Sequence, residues 1–481
     1  MIKYKGSPNT IWGLLTALLI LGALTLTLWG NSNNLNPRYL FIDEQITFYP
    51  IIKILNPSGL DEWLWLVSDG NDYRYGRILW NALALFAALP AKAFGISGQI
   101  IASRELGAFL LLSSYCLLTF AYIKTPSIRF LALLTLVLLP YNSYYMSMPK
   151  PEPLAIFAIS LFLFLNTKNF LAPGKASWML VGLAFGAKIS FLIPAAILIL
   201  MSILNEIYQK RISINAHLLS CIYILAGFLI ANPYFLQPVF YFSYPILIIY
   251  FIFRLFKPAR ALALLIIISF LCLAFIPQDN FHAFLFEKIP KLTGLNHAFG
   301  EWIRATFLKV NDGEMTANQN FYTWFVYLCK TLYPPFNFIG LAFIGLIVVF
   351  FTALLKNLSK QCKIDRQTSF NLFLLALLGL TLLCIPMISI KNRLWGMYLF
   401  PGLIFTCLAL FAILDRYAES RRAGSFIRSN FHISTQIPLA IIYLFLLLTY
   451  WGPAFINSFI FLGARDPSDP KILLPPWLTG V

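Results

Sequence analysis

The sequence predicts an all-α fold, a polytopic membrane protein with about 13 transmembrane helices. Of the 481 residues, 59% are hydrophobic and 11% are charged, whereas soluble domains carry about 25% charged residues. Apolar runs of about 20 residues, long enough to cross the hydrocarbon core of a bilayer, recur along the chain. No soluble domain can be separated from these runs.

The apolar runs predict where the membrane spans lie. The first run follows Lys3 and Lys5, and we interpret it as an uncleaved span because it is longer than the apolar core of a signal peptide. The region 176–208 is either one long broken helix or two spans, since Gly182 and Gly186 fall within its short first half. The predicted spans are 11–29, 105–123, 130–148, 153–167, 176–188, 189–208, 214–231, 238–256, 260–277, 333–355, 369–389, 396–414 and 436–460.

Lysine and arginine set the predicted orientation, because cytoplasmic loops of membrane proteins carry an excess of both. The decisive segment is 77–95, which is apolar enough to span but which we place in the membrane surface. The inner loops then hold 19 of the 36 Lys and Arg residues and 4 of the 19 Asp and Glu residues. If 77–95 spanned, the basic loops from Lys124 onward would all lie outside. We therefore expect a cytoplasmic N-terminus and a C-terminus outside.

The excess of basic residues in the inner loops accounts for most of the net charge of +17. We expect these residues to meet anionic lipid head groups, and we expect no nucleic-acid partner. Most of the seven cysteines lie inside apolar runs, and no CxxC pair occurs. The cysteines therefore indicate neither a zinc site nor a disulfide framework.

The polar stretches divide the chain into three predicted parts. Residues 1–277 form a membrane domain whose first outer loop, 30–104, carries an acidic motif. Residues 278–332 form a second outer loop, expected to cap the site or to bind an acceptor. Residues 333–481 form the C-terminal membrane helices.

The acidic motif in the first outer loop is Asp43-Glu44, which follows the first predicted span by about 14 residues. Apolar neighbours flank both carboxylates, and we expect these neighbours to draw them into a partly buried setting. Burial raises the pKa of a carboxylate and makes it a better general base near neutral pH. Asp61 and Glu62, further along the loop, are interpreted as ordinary solvated residues.

Two amphipathic helices are predicted after the acidic motif, and such segments lie flat on a bilayer surface. The expected apolar face of the first contains Ile46, Tyr49, Ile51, Ile52 and Leu55. The expected apolar face of the second contains Leu60, Trp63, Leu64 and Val67. This arrangement would hold the acidic motif at the membrane interface.

Charged residues on the outer side are candidates for binding a lipid phosphate, for which Arg offers bidentate geometry. Each also has a structural explanation, either as part of a turn between helices or as a side chain that extends along the apolar surface to reach water. An ionisable group at a membrane is nevertheless a site hypothesis by default. The candidates are Arg74, Arg77, Lys150, Glu152, Lys188, Lys391 and Arg393.

Taken together, these features resemble the GT-C superfamily, membrane glycosyltransferases that use polyprenyl-phosphate sugars. The pattern is similar to that of the protein O-mannosyltransferases and the lipid A aminoarabinose transferases. Relatives often carry His-Pro-Pro before the surface helix and Arg…Asp before the fourth span; this chain has Tyr73–Arg77 and Lys150…Glu152 there. The resemblance rests on Phe41-Ile42-Asp43-Glu44, the 77–95 surface helix, Lys150-Pro151-Glu152, Gly186-Ala187-Lys188 and Lys391, Arg393, Tyr398 and Pro401.

The resemblance implies transfer of a hexosyl or pentosyl group from polyprenyl phosphate to a hydroxyl of a glycan, lipid or protein acceptor. Asp43 would be the general base, Glu44 would orient the acceptor or a metal, and the basic residues would bind the phosphate. Whether the site also holds a divalent metal is left open. The implied location is the bacterial inner membrane, with the site on the periplasmic or extracellular side. The alternatives are a transporter or flippase of a lipid-linked glycan, and a glycan ligase or polymerase.

Overall fold

The computed structural model describes residues 8–32, 35, 42–68, 77–139, 141–167, 174–208, 214–232, 366–388, 399–422, 451–453 and 455–456. Within these ranges the elements are helices and no strand is formed, as the sequence predicts. The predicted spans 238–256, 260–277 and 333–355, the outer loop 278–332 and most of 436–460 lie outside the described residues.

The helices are numbered here in chain order. Two of them contain segments that are long and apolar enough to cross a membrane, Thr10–Asn31 and Ile78–Tyr122. The helices are α1 (Pro8–Asn31), α2 (Ile42–Leu55), α3 (Leu60–Ser68), α4 (Ile78–Tyr122), α5 (Pro126–Leu138), α6 (Asn142–Ser147), α7 (Pro151–Asn166), α8 (Trp178–Ala187), α9 (Leu192–Tyr208), α10 (Ile214–Ala231), α11 (Arg366–Ile388) and α12 (Phe400–Arg422).

Helix α4 is bent at Gly95, whose φ of 62° lies in the left-handed region that side chains disfavour. Just after the bend, a Cβ on Gly98 would overlap the Pro90 carbonyl, so the two arms of α4 approach closely. Trp80 in the first arm shares one apolar cluster with Leu106 in the second. The predicted surface segment 77–95 is therefore a separate arm, joined directly to the predicted span 105–123.

The predicted span 130–148 is wrong as a single helix. Helix α5 ends at Leu138, Leu139 is extended with ψ of 141°, and the short helix α6 begins at Asn142. The cause is Pro140, because a proline disfavours helical dihedrals in the residue before it. The Asn142 amide satisfies the broken end by donating to the Val137 carbonyl at 2.6 Å, and its Oδ1 accepts from the Tyr115 hydroxyl at 2.7 Å.

The predicted apolar faces of α2 and α3 are confirmed in part. In α2, Ile51 is buried and Leu55 packs against the same cluster, as predicted, and Phe48 and Ile54 are buried as well. Among the described side chains of α3, Val67 packs against this cluster, as predicted, and Leu66 is buried, whereas Leu60 and Trp63 are exposed, contrary to the prediction. The cluster also contains Trp80 of α4, so both helices pack on α4.

Helices α8 and α10 run parallel and pack backbone to backbone. A Cβ on Gly182 would overlap the Ile224 carbonyl, and one on Gly186 would meet Ala231, further along both helices in the same direction. The carboxyl end of α9 meets the start of α10, where Glu206 and His217 pair at 2.9 Å. Because α9 joins the end of α8 to the start of a helix parallel to α8, it runs the opposite way. The region 176–208 is thus two oppositely directed helices.

Contacts between distant residues gather the helix termini into two groups, which we call end A and end B. Helices α1 and α7 each contribute one terminus to each end. Helix α4 reaches end A at its carboxyl terminus and end B at Arg104, and α12 begins at end B and reaches end A at Asp415. End A contains the contacts Trp12–Phe130, Lys124–Asp415, Thr125–Asp415 and Thr167–Asn371. End B contains Asn31–Arg104, Asn31–Glu105, Glu152–Lys188 and Tyr145–Phe400.

The two ends agree with the grouping that the basic residues predict. Lys124, Asp415 and the loop after Thr167 are all assigned to the inner side, and they meet at end A. Glu152 and Lys188 are assigned to the outer side, and they meet at end B. Helix α12 continues beyond the predicted span limit of residue 414, and buried Asp415 accepts hydrogen bonds from the backbone of Lys124 and Thr125.

The glycine contact between α8 and α10 gives a prediction with a control in the same chain. Gly227→Leu would drive a side chain into the Met179 carbonyl and should lower the free energy of unfolding by about 2 kcal/mol or more. Gly22→Leu in α1 should be neutral or slightly stabilising, since nothing lies within 4 Å of an added Cβ there. Unfolding of purified protein in detergent measures both. Equal effects would contradict the helix contact.

Candidate functional site

Three of the predicted site residues, Lys150, Glu152 and Lys188, lie together at end B, and we call this group the charged turn. Lys150 stands before α7 with an extended backbone, φ −115° and ψ 153°. Pro151 enforces this conformation on Lys150 and supplies the first residue of the helix, where its missing N–H costs nothing. Pro151 therefore fixes the backbone conformation of Lys150.

Glu152 and Lys188 form an ion pair across this turn, with Lys188 Nζ 3.1 Å from Glu152 Oε1. Glu152 lies in the first turn of α7, and Lys188 is the residue that ends α8. The residue Glu152 is 5% exposed. Each charge also has the favourable sign for its own helix terminus, negative at the start of α7 and positive at the end of α8. The pair therefore fastens two antiparallel helices together at end B.

The second oxygen of Glu152, Oε2, is buried and accepts no hydrogen bond from any of the described residues. A buried carboxylate oxygen without a donor is costly, and such groups call for an explanation such as a bound ligand or water. A sugar hydroxyl is one group that could donate to it.

The ammonium of Lys150 lies over an aromatic ring, with Nζ 5.7 Å from the centroid of the Tyr144 ring. Tyr144 in turn meets the edge of Tyr145 at a centroid distance of 5.1 Å. Tyr145 stacks on Phe400, the first residue of α12, at 4.8 Å with 17° between the rings. This contact links Lys150 to α12, and nothing in the local sequence around Lys150 indicates it.

The acidic motif lies in the first turn of α2, where Asp43 and Glu44 are the second and third residues of the helix. One turn later, Thr47 and Phe48 are buried, and Phe48 packs against Ile100 of α4. Ile100 precedes Arg104, which contacts Asn31 at end B. The backbone of the motif is therefore at the same end as the charged turn, while its side-chain positions lie outside the described structure.

Arg77 is a predicted phosphate-binding residue that the structure places in the interior. It directly precedes α4 and is 1% exposed, and its guanidinium lies 4.9 Å from the centroid of the Trp80 ring. Trp80 belongs to an apolar cluster against which Leu154 of α7 also packs. Arg77 is thus connected to the charged turn through this cluster. Arg74, Lys391 and Arg393 lie outside the described residues.

A polar network that the sequence does not reveal joins α1 to α4 at end B. The Asn31 amide donates to Glu105 Oε1 at 2.8 Å, and the Thr27 hydroxyl donates to Oε2 at 3.2 Å. Arg104 Nη1 donates to the Asn31 carbonyl at 2.9 Å. The same Asn31 amide donates to the Met146 carbonyl of α6 at 3.3 Å. In the sequence, the adjacent charged residues Arg104 and Glu105 are the sign that could have indicated this network, but their partners are distant in the chain.

Glu62 has a local role at the start of α3. The backbone N–H and the hydroxyl of Ser58 both donate to Glu62 Oε2 at 2.6 Å, which closes the first turn of the helix. These hydrogen bonds lower the pKa of the Glu62 carboxyl. Glu62 is therefore a capping residue of α3.

Among the side chains that the structure describes, no three His, Cys, Asp or Glu residues lie close enough to hold a metal ion. No protein-family model matches this chain, and no curated protein matches it.

The Glu152–Lys188 pair yields a stability prediction. Lys188→Met should lower the free energy of unfolding by about 3 kcal/mol, because it leaves the Glu152 carboxylate buried without its cation. The double variant Glu152→Met/Lys188→Met should recover most of that loss. His217→Gln, which breaks the more exposed pair with Glu206, should cost under about 1 kcal/mol. If Lys188→Met were as mild as His217→Gln in the same denaturation assay, the pair would not fasten α7 to α8.

Proposed function

We propose that the protein is a membrane glycosyltransferase of the GT-C type, with about 13 spans and its site on the periplasmic or extracellular face of a bacterial inner membrane. It would move a hexosyl or pentosyl group from a polyprenyl-phosphate donor to a hydroxyl of a glycan, lipid or protein. The observation that carries the proposal is the collection at end B of Lys150, Glu152 and Lys188 together with the first turn of α2.

The location of the charged side chains at one end of the helix bundle supports a reaction at the membrane surface. A lipid-linked sugar presents its phosphate at the depth of the lipid head groups, which is where helix termini of a membrane bundle lie. In the proposed orientation, the charged side chains at end B would lie at the depth where such a phosphate arrives. The exposed apolar side chains of the first arm of α4, with Leu85 at 80% and Leu89 at 79%, provide a surface for lipid tails nearby.

The proposed reaction is one displacement at the anomeric carbon of the donor sugar. The acceptor oxygen forms a bond to that carbon, and the bond from carbon to the phosphate oxygen breaks. Asp43 takes the proton of the acceptor hydroxyl, a step worth about 10² to 10⁴ in rate for a well-placed base. Lys150 and Lys188 stabilise the negative charge that develops on the departing polyprenyl phosphate. Glu44 orients the acceptor.

A second candidate function is transport or flipping of a lipid-linked glycan. The breaks at Leu139 and at Lys188 favour it, because transporters often bind substrate at interrupted helices. Against it, the charged side chains Lys150, Glu152 and Lys188 are at end B and not midway along the bundle. The polar groups at the first break, Asn142 and Tyr115, already bond to each other.

The proposed general base can be tested by one conservative substitution. Asp43→Asn should reduce sugar transfer by at least about 100-fold, since an amide cannot accept the proton. Binding of a polyprenyl phosphate and expression in the membrane should be unchanged. Radiolabelled or mass-tagged transfer from membranes that carry the variant measures the first, and native mass spectrometry measures the second. Undiminished transfer would remove Asp43 from the mechanism.

The proposed orientation has its own test. In a background without the seven native cysteines, Cys at position 43 should react with a membrane-impermeant thiol reagent added to intact spheroplasts. Cys at position 421 should react only after lysis. The reverse pattern, or labelling of both from one side, would contradict the assignment of end B to the outer face.

A further inference from the structure

We infer that Tyr144 is a positioning residue for Lys150, and that the aromatic stack Tyr144–Tyr145–Phe400 holds the Lys150 ammonium where it meets the phosphate of the lipid-linked donor. This inference rests on the proposed function, because it assumes that Lys150 binds a phosphate. It adds a residue that carries no charge and that neither the charge pattern nor the resemblance to GT-C enzymes identifies.

The stack is continuous from α12 to the charged turn. The centroid of Tyr145 is 4.8 Å from that of Phe400, and the centroid of Tyr144 is 5.1 Å from that of Tyr145 at an interplanar angle of 80°. Both tyrosines and Phe400 are at least 97% buried. A lysine ammonium within about 6 Å of a ring centroid is attracted by the ring quadrupole, and Lys150 Nζ meets that condition at 5.7 Å.

The backbone of α6 beneath the stack is held by α1 and by α4. The Met146 carbonyl accepts a hydrogen bond from Asn31 of α1. The Tyr145 carbonyl lies so close to Gly107 of α4 that an added Cβ would overlap it. Tyr141, which precedes α6, adopts a left-handed φ of 66°, a conformation that a non-glycine residue holds only when its surroundings determine it. Helix α6 is thus a fixed platform for the Tyr144 ring.

The consequence is a lysine whose side chain is restricted before any ligand arrives. A free lysine loses much rotamer freedom when it binds an anion, and a ring that already holds the ammonium reduces that loss. Lys150 is half-buried, so the ammonium keeps access to a ligand while its stem is constrained. The Glu152–Lys188 pair begins two residues later, so Lys150 stands next to a fixed contact between α7 and α8.

Phosphate binding by full-length protein in detergent tests the inference. The probes are undecaprenyl phosphate, undecaprenol without the phosphate, and inorganic phosphate, each measured against wild type, Tyr144→Phe, Tyr144→Leu and Tyr144→Met. Tyr144→Leu and Tyr144→Met should weaken binding of undecaprenyl phosphate about 2- to 30-fold, because they remove the ring quadrupole. Tyr144→Phe, which keeps the ring, should bind like wild type. Binding of undecaprenol should be the same in all variants.

A double-mutant cycle separates positioning from packing. In a Lys150→Gln background, Tyr144→Leu should weaken undecaprenyl phosphate binding no further, since the cation it positions is absent. Phe162→Leu, which removes a buried ring whose centroid lies 5.0 Å from that of Trp178 at end A, should lower the melting temperature without changing phosphate binding. If Tyr144→Leu does not fold, Tyr144→Met and Tyr144→Phe still give opposite expectations.

The possible failures point to different claims. If wild type binds undecaprenyl phosphate and all three Tyr144 variants bind it equally well, Tyr144 has no positioning role and the proposed function stands. Loss of binding in Tyr144→Phe as well would also overturn the inference, since the ring is then not the part that matters. If wild type binds undecaprenyl phosphate no better than undecaprenol or no better than inorganic phosphate, the proposed lipid donor is wrong, and the inference falls with it.

Discussion

The ion pair between Glu152 and Lys188 is the interaction on which the rest of end B depends. It joins the first turn of α7 to the last residue of α8, and each partner has the sign that its own helix terminus favours. Because a buried carboxylate needs a cation nearby, the pair fixes how far α7 can slide along α8. Lys150 stands two residues before Glu152, so its position follows from the same contact.

Polar contacts elsewhere in the bundle follow the same requirement, that a polar group in an apolar interior finds its partner there. The broken end of α5 is satisfied by Asn142, and buried Asp415 accepts two backbone hydrogen bonds from the turn between α4 and α5. The Asn31 amide bridges Glu105 and the Met146 carbonyl. Helix α6 thus becomes the element that connects α1, α4 and α12 beneath the charged turn.

Much of the helical layout could be predicted from the sequence, because apolar length and charge act locally. The predicted spans 11–29, 153–167 and 214–231 correspond closely to α1, α7 and α10. The break before α6 had a local signal in Pro140, which the apolar run obscured. The contacts of Asn31 with Glu105 and of Tyr145 with Phe400 had none, since they join residues far apart in the chain. For the candidate site, residue types pointed to Lys150, Glu152 and Lys188, but their pairing required the structure.

Envelope glycans of a strain that lacks this protein provide the most direct measurement of the proposed activity. Glycans and polyprenyl-linked intermediates would be released from the mutant and its parent and compared by mass spectrometry. If the protein transfers a sugar as proposed, one envelope glycan, lipid or protein should lose a single hexose or pentose residue in the mutant, and the corresponding polyprenyl-phosphate sugar should accumulate on the outer face. Unchanged outer glycans, or a complete lipid-linked glycan retained on the cytoplasmic face, would contradict glycosyl transfer, and the second result would indicate transport.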